Sequence, residues 1–579
     1  MSLCGGVQLL RRKLSTGSLG LAVALAALLM VIGCGPSAQP VDSPAGGQSG
    51  GAQGQQLEGG AKAALEVAKE RGGKFIASSG VDIAIDPHLY VAGGTTTFPS
   101  TNQIIARDIY DPKYPIVPDL AKSWEMSKDG KSYTFKFHQG VKFQNVAPVN
   151  GREFTSEDAK YNIMRIMADP SLVTDNLRPR FQRRSEFPKL SMETPDKYTL
   201  VMKLEEPYAP VLDALTYVTS VILPREFIEK FPEKIITEGI IGTGPFIQGE
   251  FRLGQFAAYK KNADYWRKDS QGGQLPYLDA VDFVQFVDPS AAAAAFRARQ
   301  VDVFQPTKTN MDVLQREMPN AKAFIGPQTN YTHMRINVTA KPFDDVRVRK
   351  AIHLAVDRQQ FKELFGEDIT PISGPVSSPV YPDFADMDWL MSQPGYRQPK
   401  DQDIAEAKRL MKEAGYENGL TFEFLTIPTY TDFVALFQEQ LKPLNITMKV
   451  QVMDYQGQLV PRVLNGEFQM QTAFGNIIGT DVDSVLAVNF GTGASRNAGK
   501  YSNPAFDDLV KKEQRAVTIE ERKKYVREAE KLLLEDAPAI WLQTKAQLLL
   551  AQPWVHNAGM GLVNQSYSKM HEYVWLEKH

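Results

Sequence analysis

The residue best placed for chemistry in this chain is Cys34. It follows Val31-Ile32-Gly33 at the end of an apolar run from Leu19 to Ile32, itself preceded by Arg11, Arg12 and Lys13. A positive stretch, a short apolar segment and a small residue before a cut have the form of a secretory signal. The run is shorter than the roughly 20 residues that a membrane span needs. Cleavage before Cys34 leaves its thiol at a new N-terminus, where a diacylglycerol can be attached. It also removes Cys4, the only other cysteine, so the mature chain cannot form an internal disulfide. Other sequence patterns carry less. Gly47-Gln48-Ser49-Gly50-Gly51 matches the nucleophile elbow of hydrolases, but that motif needs a strand before it and a helix after it, and neither flanks it. Seven histidines are scattered with no HExxH and no close His/Asp cluster, which disfavours a metal site. His353 falls inside a predicted helix, as a packing or surface residue. Gly493 to Lys500 loosely matches a phosphate loop, yet five residues separate its glycines and Tyr501 stands where Ser or Thr binds magnesium. No nucleophile–base pair and no pair of carboxylates marks an enzyme, and no cofactor is expected.

Elements must hold whatever chemistry exists. At 579 residues the chain exceeds the roughly 250–300 that one core supports, so two or three domains are expected. Sixty-five basic residues nearly balance 67 acidic ones. The cluster Arg178, Arg180, Arg183 and Arg184 is too small and isolated for a nucleic-acid footprint. From Cys34 to about Gly60 the chain is Gly, Ser, Pro, Gln and Ala, and reads as a flexible tether. Asp129-Gly130 separates Trp124 from Tyr133, Phe135 and Phe137, which alternate with polar residues and predict a β-hairpin. Val348, Ala351, Ile352 and Ala355 recur at helical spacing. So do Ala407, Leu410, Met411 and Ala414, with Gly415 placed to end that helix. Leu420, Phe422 and Phe424, then Phe433 to Leu441, then Ile446 to Val452 predict strand, helix, strand: a parallel βαβ unit. Thr518-Ile519-Glu520-Glu521 is a capping box for a helix ending near Glu535. Pro538 breaks that helix, and Ala539-Ile540-Trp541-Leu542 predicts a strand. The fold class is α/β with antiparallel parts in the first half, and no internal repeat is visible.

Several segments resemble one family in order and spacing. Val31-Ile32-Gly33-Cys34 is similar to the lipobox of bacterial lipoproteins. Pro118 to Trp124, Asp129-Gly130 and Tyr133-Thr134-Phe135 resemble the opening "P-x-L-A-x-S-W … D-G-x-x-Y-T-F" of family 5 extracytoplasmic solute-binding proteins, the peptide, nickel and oligosaccharide receptors of ABC importers. Gly140 to Phe143, Gly242 to Phe246, Asn262 to Trp266, Asn337 with Pro342 to Ile352, Ala355 to Arg358, Ala407 to Tyr416 and Tyr501 to Asp507 continue the resemblance across about residues 74–579.

The resemblance implies a two-lobed periplasmic-binding-protein type II fold with an extra third domain and hinge segments between the lobes. It divides the chain into a signal peptide (1–33), an anchored linker (34–73), a first lobe (74–97, 221–302 and 536–579), the extra domain (98–220) and a second lobe (303–535). It implies no enzyme, but a monomeric receptor held at the membrane by a lipid on Cys34. That receptor captures a peptide in an interlobe cleft and delivers it to an ABC permease served by cytoplasmic ATPase subunits. The oligosaccharide-binding receptors of the same family are the alternative, with an exported hydrolase behind them. Localisation is extracytoplasmic, on the periplasmic side or cell surface. In peptide-binding relatives the cleft is approached by the segment after an early "D-P-H", here Asp86-Pro87-His88, which brings in Thr95 and Thr96. The loop after the second lobe's last crossover brings in Phe474, Gly475, Asn476, Asp481 and Asp483. Tyr331, at the start of a strand reaching Asn337, is a further candidate. Oligopeptide receptors hold the ligand's α-amine with an aspartate in "D-Y-x-x-P". Here Ile478 takes that place, leaving Asp481 and Asp483 as the nearest carboxylates.

Overall fold

The computed structural model describes residues 65–578 apart from 79–86, 89–97, 112–113, 168–188, 233–238, 253, 287, 367–369, 377–380, 382, 477–480, 495 and 559–570. The expected signal, Cys34 and most of the linker, together with Thr95, Thr96 and Ile478, lie outside the described residues.

The strands used below are β1 (Lys74–Ser78), β2 (Ala121–Met126), β3 (Ser132–Phe137), β4 (Leu190–Asp196), β5 (Thr199–Leu204), β6 (Phe246–Arg252), β7 (Phe256–Lys261), β8 (Ala280–Val284), β9 (Val303–Phe304), β10 (Lys322–Ile336), β11 (Leu420–Thr426), β12 (Ile446–Val452), β13 (Met470–Asn476) and β14 (Ala539–Ala551). The helices are α1 (Val346–Ala355), α2 (Asp401–Glu413), α3 (Thr431–Gln440), α4 (Pro504–Arg515) and α5 (Ile519–Asp536).

The predicted hairpin is β2 and β3, paired antiparallel. Gly130 supplies the positive φ of +68° its turn needs. Alternation places Tyr133, Phe135 and Phe137 in a core with Phe143, Phe154 and Leu200. With β5 and β4 the hairpin forms a four-stranded sheet ordered β2-β3-β5-β4.

Everything else hangs on one ten-stranded sheet ordered β12-β11-β13-β10-β14-β9-β1-β8-β7-β6. The predicted βαβ unit is β11-α3-β12, with β11 parallel to both β12 and β13. Gly419 enters β11 at φ +90°, where a Cβ would lie 2.0 Å from the Asn445 carbonyl oxygen. In α1 the Asp345 carboxylate accepts the Arg347 N–H, and Val348, Ala351, Ile352 and Ala355 are buried. In α5 the Thr518 hydroxyl accepts the Glu521 N–H, and the helix ends at Asp536, before left-handed Ala537 and Pro538.

β14 is longer than its sequence suggests, thirteen residues instead of four. Its first part pairs with Tyr331 to Arg335 of β10, and its last part, Leu548 to Ala551, pairs with Lys322 to Ile325. Between these stretches the register shifts at Ile325/Gln328 and again at Gln328/Asn330. Gly326-Pro327 falls in the gap, and proline has no N–H for a ladder. Among the described residues the two halves of the sheet therefore meet only through β10 and β14. β9, placed by the sequence in the second lobe, pairs with β1 and with the Leu550–Ala551 end of β14.

A buried carboxyl in α5 makes the fold pH-sensitive. Burial pushes Glu530 up from 4.5 to about 7, although Arg527 opposes the rise. The folded state therefore keeps this proton over a range where the unfolded chain has lost it. Stability from this group is complete below pH 4.5 and is lost as pH rises toward 7. Relative to Glu530→Gln, the wild type should lose at most about 3 kcal/mol across that window. Urea titrations of both proteins at pH 4.5 and 7.5 measure the difference.

Candidate functional site

β10 runs antiparallel to β13, and Asn330 pairs with both Asn476 and Lys545. The carboxyl ends of β11, β12 and β13 (Thr426, Val452 and Asn476) therefore point to the edge at which β10 and β14 cross between the halves. In open α/β sheets ligands bind outside the carboxyl ends of the strands. Phe474, Gly475 and Asn476 form the last rungs of β13 at that edge, and Tyr331 enters β10 beside them, opposite Gly475. These four predicted residues are thus brought together by the sheet itself.

Tyr331 is buried, and its hydroxyl accepts a hydrogen bond from Asn489 Nδ2 at 2.6 Å. Its ring stacks on His333 at 5.0 Å. Burial holds the phenol above its usual range and His333 far below its own, so both are neutral near pH 7.

Asp481 and Asp483 sit just beyond the same edge but are engaged within the protein. Both oxygens of Asp481 accept from Arg522, at 2.6 and 2.8 Å. Burial raises the Asp481 carboxyl, but Arg522 overcomes this and leaves it below the usual carboxylate range. The same guanidinium binds Glu513, whose burial holds its carboxyl well above normal. Asp483 accepts from Gln514 Nε2 at 2.6 Å and from the Tyr208 hydroxyl at 3.2 Å. An ammonium reaching either aspartate would have to share it with these donors.

Tyr208 belongs to the loop after β5, so the Asp483 contact joins the four-stranded domain to the far half of the main sheet. Two more bonds follow that seam. Ala209 N–H donates to the Gln514 carbonyl at 2.8 Å, and Arg515 pairs with Glu206 at 2.5 Å. A cavity of about 530 Å³ opens here, lined by Glu206, Pro207 and Tyr208 on one side and by Thr492, Asp507 and Lys511 among others on the other. None of the predicted site residues lines it.

Sequence reasoning passed over His333 and Arg335, which lie on the same face of β10 as Tyr331. Their signal was present: two titratable residues at period two inside a strand whose other face is Met334 and Ile336. Among the described residues no group of three His, Cys, Asp or Glu side chains could hold a metal ion, and no helix is long and apolar enough to cross a membrane.

Residues 115–497 match the bacterial extracellular solute-binding proteins, family 5 Middle. The chain is similar to di/tripeptide-binding protein 2 of Pseudomonas aeruginosa, 26% identical over 79% of this chain and 86% of that one. It is also similar to the glutathione-binding protein GsiB of Pectobacterium atrosepticum, 25% identical over 77% and 85%. The periplasmic binding protein DppA of Helicobacter pylori, solved with the peptide STSA, superposes with a TM-score of 0.75 at 23% identity, covering 88% of this chain and 99% of that one. OppA of Haemophilus influenzae, in complex with RPPGFSPFR, gives a TM-score of 0.70 at 20% identity over 89% and 100%. These neighbours have the type II periplasmic-binding-protein fold, and the mixed α/β chain described above shares it.

Removing Arg522 tests how the loop that carries Asp481 and Asp483 is held. Arg522→Met leaves buried Asp481 and Glu513 without their shared cation, and should cost about 3–5 kcal/mol of stability. Thermal and urea unfolding of the variant beside the wild type give this number.

Proposed function

This chain belongs to family 5 of the bacterial extracellular solute-binding proteins, and we propose that it is the peptide receptor of an ABC importer. The observation that carries this reading is the edge where β11, β12 and β13 end, beside β10 and β14, which among the described residues join the halves of the sheet. A ligand seated there touches both halves and can draw them together. Peptide as the ligand class is supported by relatives that bind di- and tripeptides or glutathione.

On this reading the first lobe is built on β1, β6 to β9 and the far ends of β10 and β14. The second lobe is built on β11 to β13 and the near ends of the same two strands. The four-stranded domain belongs with the first lobe and meets the second through Glu206, Tyr208 and Ala209. Tyr331 and the Phe474–Asn476 end of β13 stand at the ligand cleft, and Thr95 and Thr96 are further ligand-contact candidates. Ligand binding favours the closed arrangement by contacting both lobes, and the closed receptor, as a monomer, docks on the membrane permease. Cys34 carries the lipid that holds the receptor on the outer face of the membrane, with the residues after it as tether.

Two experiments test the reading. Native mass spectrometry of the purified mature chain, followed by denaturing release, should yield a series of peptide masses. Hexose or pentose spacing in the released material would overturn the peptide class. In cells, Cys34→Ser should move the protein from the membrane fraction to the soluble one and abolish its labelling by a radioactive fatty acid. Unchanged labelling would remove the lipid from the account.

A further inference from the structure

The four-stranded domain is fastened on one side and only touches on the other. Toward the half of the main sheet that holds β1 and β6 to β8, its Asp119 meets Arg267, which also holds Glu572. All three side chains are buried or nearly so. Gln144 Nε2 donates to the Phe246 carbonyl at 2.7 Å, and the Gln144 backbone N–H to the Gly242 carbonyl at 2.9 Å. A Cβ on Gly244 would lie 2.4 Å from the Ser100 carbonyl carbon, so the two backbones are in contact. Asn162 bonds the Leu223 backbone in both directions, at 2.8 and 3.0 Å. Parting this side would strand buried ions and amides, which is costly.

The side toward α4 and α5 is built differently. The Tyr208 hydroxyl donates to Asp483, the Ala209 N–H to the Gln514 carbonyl, and Arg515 pairs with Glu206. At the hairpin turn a Cβ on Gly130 would lie 3.2 Å from Val517 Cγ2. Burial raises the Asp481 carboxyl, Arg522 overcomes this, and Arg107 across the seam adds to the pull. These charges keep partners of their own if the seam parts. Asp483 retains Gln514, Asp481 retains Arg522 and Arg107 retains Asp213, while Glu206 and Arg515 are about half exposed and rehydrate. The cavity of about 530 Å³ separates the two faces. Met126 of the hairpin is 46% exposed, and Val517 and Ile519, where α4 passes to α5, are 44% and 40% exposed. The seam is thus loosely packed and opens without stranding a buried charge. Asp483 also ties it to the ligand edge, since it follows Asn476, the last residue of β13, by seven residues.

We propose, on the receptor reading above, that the four-stranded domain is a closing arm: it moves with the first lobe and latches on the second through Glu206, Tyr208 and Ala209. The latch exists only in the closed arrangement, so its free energy adds to whatever the ligand supplies. Ligand affinity is then set partly at a seam that no ligand touches. Weakening the seam lowers the affinity for every ligand by one common factor. A residue of the cleft acts otherwise, because its loss matters according to which group of the ligand it meets. The coupling is reciprocal, so a bound ligand holds the seam together.

The test joins the seam covalently. The 2.8 Å bond from the Ala209 N–H to the Gln514 carbonyl brings these residues near the roughly 4.4–6.8 Å that separates disulfide-bonded Cα atoms. In the mature chain carrying Cys34→Ser, Ala209→Cys with Gln514→Cys should cross-link under diamide, and faster when Ala-Ala-Ala is present. Without ligand, the oxidised protein should scatter X-rays with a smaller radius of gyration than its reduced form. It should also release bound Ala-Ala-Ala about tenfold more slowly. Separately, Glu206→Gln and Tyr208→Phe should each weaken Ala-Ala and Ala-Ala-Ala by the same factor, about two- to fivefold. If no cross-link forms, or oxidation leaves the radius and the release rate unchanged, the arm is refuted and the receptor reading stands. Factors that differ between the two peptides would also refute it, by placing Glu206 and Tyr208 in contact with ligand. If neither peptide binds and the native spectra hold no ligand of any class, the receptor reading falls and takes the arm with it.

Discussion

The pairing of β10 with β14 is the constraint on which the rest of the structure depends. It joins two halves of a sheet that share no other ladder among the described residues, and both strands must serve a different core at each end. Met334, Ile336, Ile540 and Leu542 pack with α1, α2 and α3, whereas Leu548 and Leu550 pack with Phe296, Phe304 and Leu314. Each half therefore buries its own apolar surface. The stretch between them, from Ile325 to Asn330, carries two of the three register shifts, and the third follows at Thr332/His333. A bulged ladder has fewer backbone bonds to break when it bends, and each extra residue adds local twist. The connection is firm along the strands and compliant across them, as a hinge between two rigid bodies must be.

The contacts farthest from that hinge are modest by comparison. Arg515 and Glu206 are both about half exposed, and such pairs contribute at most about 1 kcal/mol. The Ala209–Gln514 backbone bond and the Tyr208–Asp483 bond add comparable amounts. Moving an open–closed equilibrium from 1:99 to 99:1 takes roughly 5.5 kcal/mol, more than these contacts contribute beyond what water would replace. The rim therefore sets the geometry of closure, while the ligand supplies the remaining free energy. A receptor that closed fully without ligand would occupy its permease to no purpose.

Much of this was legible in the sequence because it is local. The hairpin of β2 and β3, the βαβ unit, the caps of α1 and α5 and the end of α2 follow from alternation, helical spacing, caps and turn glycines within windows of a few residues. The full length of β14 was not legible. Gln543-Thr544-Lys545 follows its apolar start and reads as a strand's end, yet there the strand is passing from one core to the other. The place of β9 was hidden for the same reason, since a two-residue strand has no pattern of its own and is fixed by its neighbours. Of the candidate site, the place of Tyr331 and of Phe474 to Asn476 at strand ends was legible because a strand's end is a local feature.

The acidic residues show where such reading stops. Asp481 and Asp483 are carboxylates beside the cleft, and residue type alone makes them plausible anchors for an amine. Whether a carboxylate is available depends on what already binds it, and Arg522 lies 41 residues further on. Arg335 is the converse case. In sequence it is one cation in a strand, of the kind usually solvated at a surface or matched by a nearby acid. In the fold it lies on the same strand face as His333, near Gly499, and among the described residues no carboxylate pairs with it. What already occupies a charged group, and not its type, therefore decides what it offers at this edge: Arg522 holds Asp481, and Gln514 and Tyr208 donate to Asp483.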